Sequence, residues 1–164
     1  MADEPTPAHD PSASDRRRAA SHDIPLHAML DLRWEWPDKG VDVAEVRMPV
    51  AEPAYGFGPN LHGGAIATMV DLACALAAAR GTDFDPERES LVTSDMHIRY
   101  LGRARTDEVV ARAQIVRVGR QLITVECKVS DTDDHLVASA DFSMMRVALR
   151  TAPPQPNEPE SPQL

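Results

Sequence analysis

The central part of the chain alternates between hydrophobic and polar residues in several segments, a pattern typical of β-strands with one buried face. Leu30–Trp36 and Val41–Val50 are separated by the turn sequence PDKG and are predicted to pair as a hairpin. Gly119 and Arg120 are predicted to form a two-residue loop with glycine first, as a type II′ hairpin turn prefers. Four further strands are predicted at Ser90–Leu101, Asp107–Val118, Gln121–Asp131 and Leu136–Leu149.

Strict alternation within the strand that begins at Ser90 assigns its side chains to two faces. Thr93 then shares a face with Asp95 and His97, and it points away from the face that carries Met96. Asp95 and His97 either line the same interface as Thr93 or are solvated residues on an exposed strand face, which is the commoner case.

The segment Asn60–Ala79 shows no alternation and contains one charged residue, Asp71. It predicts a helix from Gly63 to Arg80, about 25 Å long, with Gly81 as a left-handed C-terminal cap. No wide polar face interrupts the apolar positions, so the helix is expected to be buried all round. The predicted fold class is α+β, with a curved antiparallel sheet wrapped around one long central helix.

Composition separates the two ends of the 164-residue chain from its middle. Residues 1–23 are rich in Pro, Ser, Ala and charge, and residues 151–164 are Pro-rich with almost no large apolar side chains. Such segments cannot bury enough apolar surface to offset the entropy of ordering. We therefore predict disordered tails at both ends and one folded domain over residues 24–150.

Charge and cysteine usage exclude several classes of protein. The net charge is −9, with no basic patch outside the segment DRRRAA, which argues against nucleic-acid binding. No uninterrupted apolar run has the length of about 20 residues that a bilayer requires, and no signal pattern opens the chain. Cys74 and Cys127 lie in apolar segments without metal-ligand spacing. They are expected to be reduced thiols of a cytoplasmic protein that holds no metal.

Asp71 stands out because an unpaired buried carboxylate costs several kcal/mol or becomes protonated. A solvent gap or an arginine partner would explain it without any function. The residues before it add a second feature, since His62, Gly63 and Gly64 stand where the helix begins. Backbone N–H groups at a helix start lack internal partners and can stabilise a developing oxyanion. Two glycines could also simply let the chain turn into the helix.

The combination LHGGAIATMVDLA resembles the hotdog-fold acyl-CoA thioesterases of the phenylacetate-degradation (PaaI-like) type, which are relatives of the 4-hydroxybenzoyl-CoA thioesterases. The resemblance extends from about Leu30 to Val147 and includes TSDMHIRYLGRA and VGRQLITVECKV. It implies hydrolysis of an acyl-CoA to a carboxylic acid and free CoA, with CoA as part of the substrate and no cofactor. It also implies a homodimer with its sheets paired edge to edge and active sites at the interface, with further assembly to a tetramer, although the sequence itself does not distinguish a dimer from a tetramer.

By this resemblance, the main-chain N–H of Gly63, or that of Gly64, polarises the thioester carbonyl. Asp71 from the other subunit is the nucleophile or the general base, and the sequence does not distinguish these roles. Thr93 occupies the position of a Ser or Thr that orients the water or the carboxylate. His62 either shapes the loop by hydrogen bonding or transfers a proton.

One position departs from the family pattern. Relatives often carry an Asn six residues before the motif His, where this chain has Gly56, and the nearest amide is that of Asn60. Asn60 either substitutes through a shifted loop, or the contact is missing. Arg103, Arg105 and Arg120 fall in turns, where their guanidinium groups either meet the phosphates of CoA or are simply solvated.

Two other functions remain open at this stage. An acyl-thioester dehydratase or hydratase on the same fold pairs a His with an acidic residue across the dimer, and His62 and Asp71 supply those residue types. A non-catalytic acyl-CoA-binding dimer is favoured by the missing Asn. The sequence does not indicate the acyl group.

Overall fold

The computed structural model describes residues 24–149, and the tails predicted at 1–23 and 151–164 lie outside the described residues. The elements, in chain order, are α1 (Pro25–Met29), β1 (Arg33–Trp34), β2 (Val43–Pro49), a 3-10 turn (Glu52–Ala54), α2 (Gly63–Gly81), β3 (Glu89–Tyr100), β4 (Glu108–Val118), β5 (Leu122–Asp131) and β6 (Leu136–Ala148).

The six strands form one antiparallel sheet in the order β1-β2-β4-β5-β6-β3, curved around α2. Alternate residues of β4, β5 and β6 face the helix and are fully or almost fully buried, among them Ala111, Val125 and Phe142. They pack against the small and apolar side chains of α2, such as Ala73 and Ala77. The predicted α+β hotdog architecture is therefore confirmed.

The predicted N-terminal hairpin is present, but its first strand is shorter than expected. β1 has two residues, and they pair with Arg47 and Val46 of β2. The chain before β1 forms α1, a short helix that was not predicted, and Leu32 between them is fully buried. The alternation of Leu32, Trp34 and Trp36 thus reflects packing on the core rather than a continuous strand.

The prediction that Gly81 caps α2 in a left-handed conformation is wrong. Gly81 is the last helical residue and its φ is not positive, while Thr82 caps the helix in an extended conformation. A Cβ atom on Gly81 would lie 2.5 Å from Ile115 Cδ1 and 2.9 Å from the Cα of Asp42. Close packing of the helix end against the sheet therefore requires the glycine.

The predicted type II′ turn at Gly119 and Arg120 is also wrong. That turn needs a positive φ at its first central residue, and the φ of Gly119 is not positive. Gly119 instead continues the ladder, because its N–H donates to the carbonyl oxygen of Leu122 at 2.8 Å. The reversal therefore falls on Arg120 and Gln121.

One stripe of α2 lies outside the sheet, so the expectation of a helix buried all round is wrong for the single chain. Thr68, Asp71, Leu72 and Ala75 are only half-buried. By length and hydropathy alone, α2 could cross a membrane, but half of its apolar window is buried. Its hydrophobic composition is that of a core helix with one uncovered side.

Candidate functional site

Asp71 is held by a hydroxyl group of the neighbouring edge strand. The Oγ1 of Thr93, on β3, donates to Asp71 Oδ1 at 2.7 Å. The contact depends on an irregularity in β3, because the pairing with β6 shifts between Thr93 and Asp95 and leaves Ser94 as a bulge. The bulge turns Thr93 towards the helix, opposite the buried Met144.

The face predicted for Thr93 is therefore wrong. Beyond the bulge, Met96 pairs with the buried Phe142, so Thr93 and Met96 lie on the same, helix-facing side of β3. Asp95 and His97 lie on the outer side of the sheet, away from Thr93. A strict period of two does not predict that Thr93 and Met96 share a face, because one extra residue moves every later side chain to the opposite face.

The side chain of His62 caps the start of α2. Its Nδ1 accepts a hydrogen bond from the N–H of Gly64 at 2.8 Å and so caps the helix. A Cβ atom on Gly64 would lie 2.9 Å from that same nitrogen, so the cap needs a glycine at this position. The Gly64 N–H is thus already bonded within the chain.

The N–H of Gly63 differs from that of its neighbour. Within residues 24–149, no acceptor bonds it. The carbonyl oxygen of His62, which shares this peptide unit, accepts from the N–H groups of Ala65 at 3.0 Å and Ile66 at 3.2 Å. Both bonds polarise the peptide, and the helix start adds partial positive charge. The Gly63 N–H is consequently the donor suited to an external oxygen.

Tyr100, at the end of β3, also contacts the helix start and was not singled out from the sequence. Its hydroxyl group donates to the Gly63 carbonyl oxygen at 3.0 Å. A Cβ atom on Gly63 would lie 3.2 Å from the Tyr100 ring and hydroxyl. Its place at the end of an alternating strand gives no local signal of this contact.

His27, on α1, is a second residue that sequence reasoning missed. Burial lowers the pKa of His27, and the negative charge of Asp71 acts in the opposite direction. Its ring meets that of Trp34 edge to face, with centroids 6.0 Å apart. Within the described part of the chain, His27 Nδ1 is buried without a hydrogen-bond partner. No pattern in the sequence connects α1 with the middle of α2.

Asp71 and Gly63 do not meet within one chain. They are eight positions apart on the same helix, which corresponds to about 12 Å along its axis. A thioester carbonyl bonded to Gly63 would therefore lie beyond the reach of the Asp71 carboxylate of the same subunit. The two parts of the predicted site are both present, but the single chain does not bring them together.

Asn60 lies in the loop before α2, with its backbone folded back on Gly56. The carbonyl oxygen of Asn60 accepts from the Gly56 N–H at 2.8 Å. Gly56 packs against His62, since a Cβ atom there would lie 3.4 Å from His62 Cδ2. Among the described residues, the side chain of Asn60 makes no hydrogen bond. The loop therefore places Gly56 in contact with the histidine.

The three arginines lie at opposite ends of the sheet. Arg103 and Arg105 are exposed in the connection that follows Tyr100, next to the start of α2. Arg120 is exposed beyond the far end of β4, a strand of 11 residues that spans about 36 Å. Arg120 is thus not brought together with the other two within one chain.

Asp131 fixes the connection that carries Arg103 and Arg105. It is 2% exposed. Its Oδ2 accepts from the Arg105 N–H at 2.9 Å, and its Oδ1 accepts from the N–H groups of Asp133 at 3.1 Å and His135 at 2.9 Å. Burial alone would raise the pKa of Asp131, but these donors and the charge of His135 outweigh it and hold the pKa below its usual value.

Other reactive groups do not form a second centre in the described part of the chain. Residues 24–149 contain no group of three His, Cys, Asp or Glu side chains arranged to hold a metal ion. Cys74 and Cys127 are free and buried. The neighbouring Cys127 thiol, together with burial, raises the pKa of Cys74 far above its ordinary value. Cys74 is therefore a poor nucleophile.

The sequence profile of the thioesterase superfamily matches residues 58–138, from the loop before α2 into β6. Over this segment, the chain is similar to members of this superfamily. The matched segment includes the start of α2, Asp71 and Thr93, but the profile does not specify the PaaI-like branch. No curated protein sequence matches the chain.

Solved structures agree with the superfamily at the level of the fold. A mutant thioesterase of Pseudomonas aeruginosa has a TM-score of 0.73, 20% identity, and coverage of 86% of this chain and 98% of its own. A conserved protein of the same organism has a TM-score of 0.65 and 29% identity, with coverages of 73% and 91%. A Bacillus halodurans protein whose structure contains CoA has a TM-score of 0.58 and 31% identity, with coverages of 63% and 66%.

Proposed function

We propose that this thioesterase-superfamily protein hydrolyses acyl-CoA thioesters at two sites of a homodimer. In each site, Gly63 of one subunit faces Asp71 of the other. The thioester and water react to give a carboxylic acid and the free thiol of CoA. The observation that carries the proposal is the Thr93–Asp71 hydrogen bond of 2.7 Å, which holds a carboxylate on the uncovered side of the core helix.

The need for a second subunit follows from the separation of Asp71 and Gly63 by about 12 Å along one helix. β3 supports an edge-to-edge dimer because it lies at the edge of the sheet and is 12 residues long. Long unprotected edges readily pair with another strand. Met96 and Tyr100, on the helix-facing side of this strand, are 37% and 55% exposed in the single chain. A two-fold axis beside β3 would cover them and bring opposite helix regions together.

The chemistry assigns a separate task to each group. The Gly63 N–H binds the thioester oxygen and stabilises the negative charge that develops on it. The Thr93 hydroxyl group donates a hydrogen bond to Asp71 Oδ1, so Oδ2 is the oxygen that reacts. Oδ2 either attacks the thioester carbon or takes a proton from the attacking water, and both routes begin from the same geometry. In ¹⁸O-water, a single turnover that labels Asp71 identifies the covalent route.

The CoA moiety fits the end of the sheet where α2 begins. Arg103 and Arg105 lie in the connection after Tyr100 and can pair with its phosphate groups. The similar Bacillus halodurans structure that contains CoA supports this substrate class. Free thiols at Cys74 and Cys127 support a cytoplasmic location, where thiols stay reduced.

A further assembly of dimers to a tetramer is supported by the outer face of the sheet. A row of apolar side chains crosses the outer face of three neighbouring strands. It consists of Leu122 on β5, Met145 on β6 and Val92 on β3, and Val147 lies two residues beyond Met145. These outward-facing side chains are 40% to 48% exposed. Such a contiguous apolar row is suited to burial between two dimers.

The test is a thiol-release assay over short, medium and aromatic acyl-CoAs. We expect Asp71→Asn to keep the fold and to lose about 10²- to 10⁴-fold in turnover, as for a lost general base. Asp38→Asn, which neutralises an exposed carboxylate in the turn before β2, is the matched control. Full thiol release by folded Asp71→Asn would refute the assignment.

The same protein preparations distinguish a hydratase and a non-catalytic binding protein from a thioesterase. A hydratase would remove the ultraviolet absorbance of an enoyl-CoA without releasing thiol. A binding protein would give calorimetric heat with an acyl-CoA and no thiol. The His62 cap argues against the hydratase, because its Nδ1 is already an acceptor for Gly64 and the neutral ring then carries its proton on Nε2.

A further inference from the structure

A continuous chain of hydrogen bonds runs through one peptide unit at the start of α2. The Tyr100 hydroxyl donates to the Gly63 carbonyl oxygen at 3.0 Å. The N–H of Gly64, at the other end of that peptide, donates to His62 Nδ1 at 2.8 Å. Each bond polarises the peptide in the direction that strengthens the other. Tyr100 therefore acts on His62 through this peptide unit.

The two glycines make room for this chain. A Cβ atom on Gly63 would lie 3.2 Å from the Tyr100 ring and hydroxyl, and one on Gly64 would lie 2.9 Å from His62 Nδ1. Neither glycine has a positive φ, so neither is needed for a left-handed backbone. The glycine pair is explained by the close approach of Tyr100 on one side and His62 on the other.

We infer that Tyr100 is a positioning residue that holds His62 as the Nε2–H tautomer through the Gly63–Gly64 peptide. His62 then meets the thioester as a hydrogen-bond donor and not as a proton acceptor. The inference rests on the proposed thioesterase function for its substrate, while the tautomer is a property of the protein without substrate. A neutral imidazole whose Nδ1 accepts a bond carries its one proton on Nε2.

The test substitutes Tyr100→Phe, which keeps the ring against Gly63 and removes only the hydroxyl group. Nitrogen-15 NMR of the ring nitrogens reports the tautomer directly, and His62→Gln assigns the signals among the six histidines. We expect the wild type to hold His62 as the Nε2–H form, and Tyr100→Phe to populate the Nδ1–H form as well. Turnover falls about five- to tenfold, and KM is unchanged because the ring still packs.

Tyr55→Phe is the matched control, since it removes the other phenol-to-carbonyl bond, from Tyr55 to the Val50 oxygen at 3.0 Å. It is expected to leave the tautomer of His62 as in the wild type. A wild-type His62 in the Nδ1–H form overturns the inference, and so does a Tyr100→Phe variant with unchanged tautomer or unchanged turnover. Failure of the thioesterase proposal is distinguishable, because it shows as wild-type protein that releases no thiol from any acyl-CoA.

Discussion

Replacing Gly63 with proline would delete the one N–H group on which the proposed oxyanion site depends. Gly63 is the first residue of α2, where proline is well tolerated and its missing N–H breaks no helical bond. His62, which would precede the proline, has φ −66° and ψ 136°, the extended conformation that such a position requires. The backbone therefore accepts Gly63→Pro without refolding.

The expected loss follows from the role assigned to that N–H. Removing one donor from an oxyanion site costs about 10²- to 10³-fold in kcat, or about 3–4 kcal/mol. The new side chain also meets Tyr100, where a Cβ atom would lie 3.2 Å away, so some loss comes from crowding alone. Gly63→Ala is the matched control because it adds the same Cβ atom and keeps the N–H.

The assay is steady-state thiol release from the best acyl-CoA, with thermal unfolding as the check on folding. We expect Gly63→Ala to lose less than about tenfold, as for modest crowding, and Gly63→Pro to lose at least ten times more than Gly63→Ala. A folded proline variant with the activity of the alanine variant would show that the Gly63 N–H binds no reacting oxygen.

Three further predictions concern the groups around the site. Thr93→Val, which keeps the β-branched shape and removes the donor to Asp71, should lower kcat/KM about tenfold, whereas Thr93→Ser should retain activity; equal losses in both would contradict the role of the hydroxyl. Asp71→Asn should lower the pKa of His27 further in an NMR titration, since the opposing negative charge disappears; an unchanged midpoint would exclude coupling. Asp131→Asn should have a lower free energy of unfolding than the wild type at neutral pH. The difference should be complete above the unfolded pKa of about 3.9 and should disappear as pH falls through the lower folded pKa. A difference that persists at pH 2 would argue against this linkage.

Much of the fold follows from residue patterns. The alternation of β5 predicted the buried face that carries Ile123, Val125, Cys127 and Val129, and all four are at most 2% exposed. The run of apolar residues from Gly63 predicted the central helix to within one residue of its end. These elements were predictable because each buries its own hydrophobic face, so the period alone determines their type.

The errors arise where tertiary contacts override a local rule. The bulge at Ser94 leaves no mark in the sequence, yet it turns Thr93 from the outer face of the sheet towards Asp71. Gly81 matches the pattern of a helix cap, but its small size serves packing against Ile115 and Asp42. In each case the deciding contact is with a residue more than 20 positions away, which local patterns do not report.

The residues of the candidate site were predictable from the sequence, but the hydrogen bonds that join them were not. His62, Gly63 and Asp71 are recognisable because a glycine pair and a lone carboxylate are unusual in an apolar helix. The bond that occupies the Gly64 N–H, and so distinguishes it from Gly63, depends on a histidine rotamer. Tyr100 reaches the site only because β3 ends beside the helix start.

The central claim, that each site combines two subunits, is tested most directly by mixing two inactive variants. Asp71→Asn and Gly63→Pro chains are unfolded together, refolded as a mixture, and assayed for thiol release. A shared site predicts recovery to about one quarter of wild-type activity, since half of the dimers are mixed and each mixed dimer has one intact site. A mixture no more active than the separate variants would contradict the account.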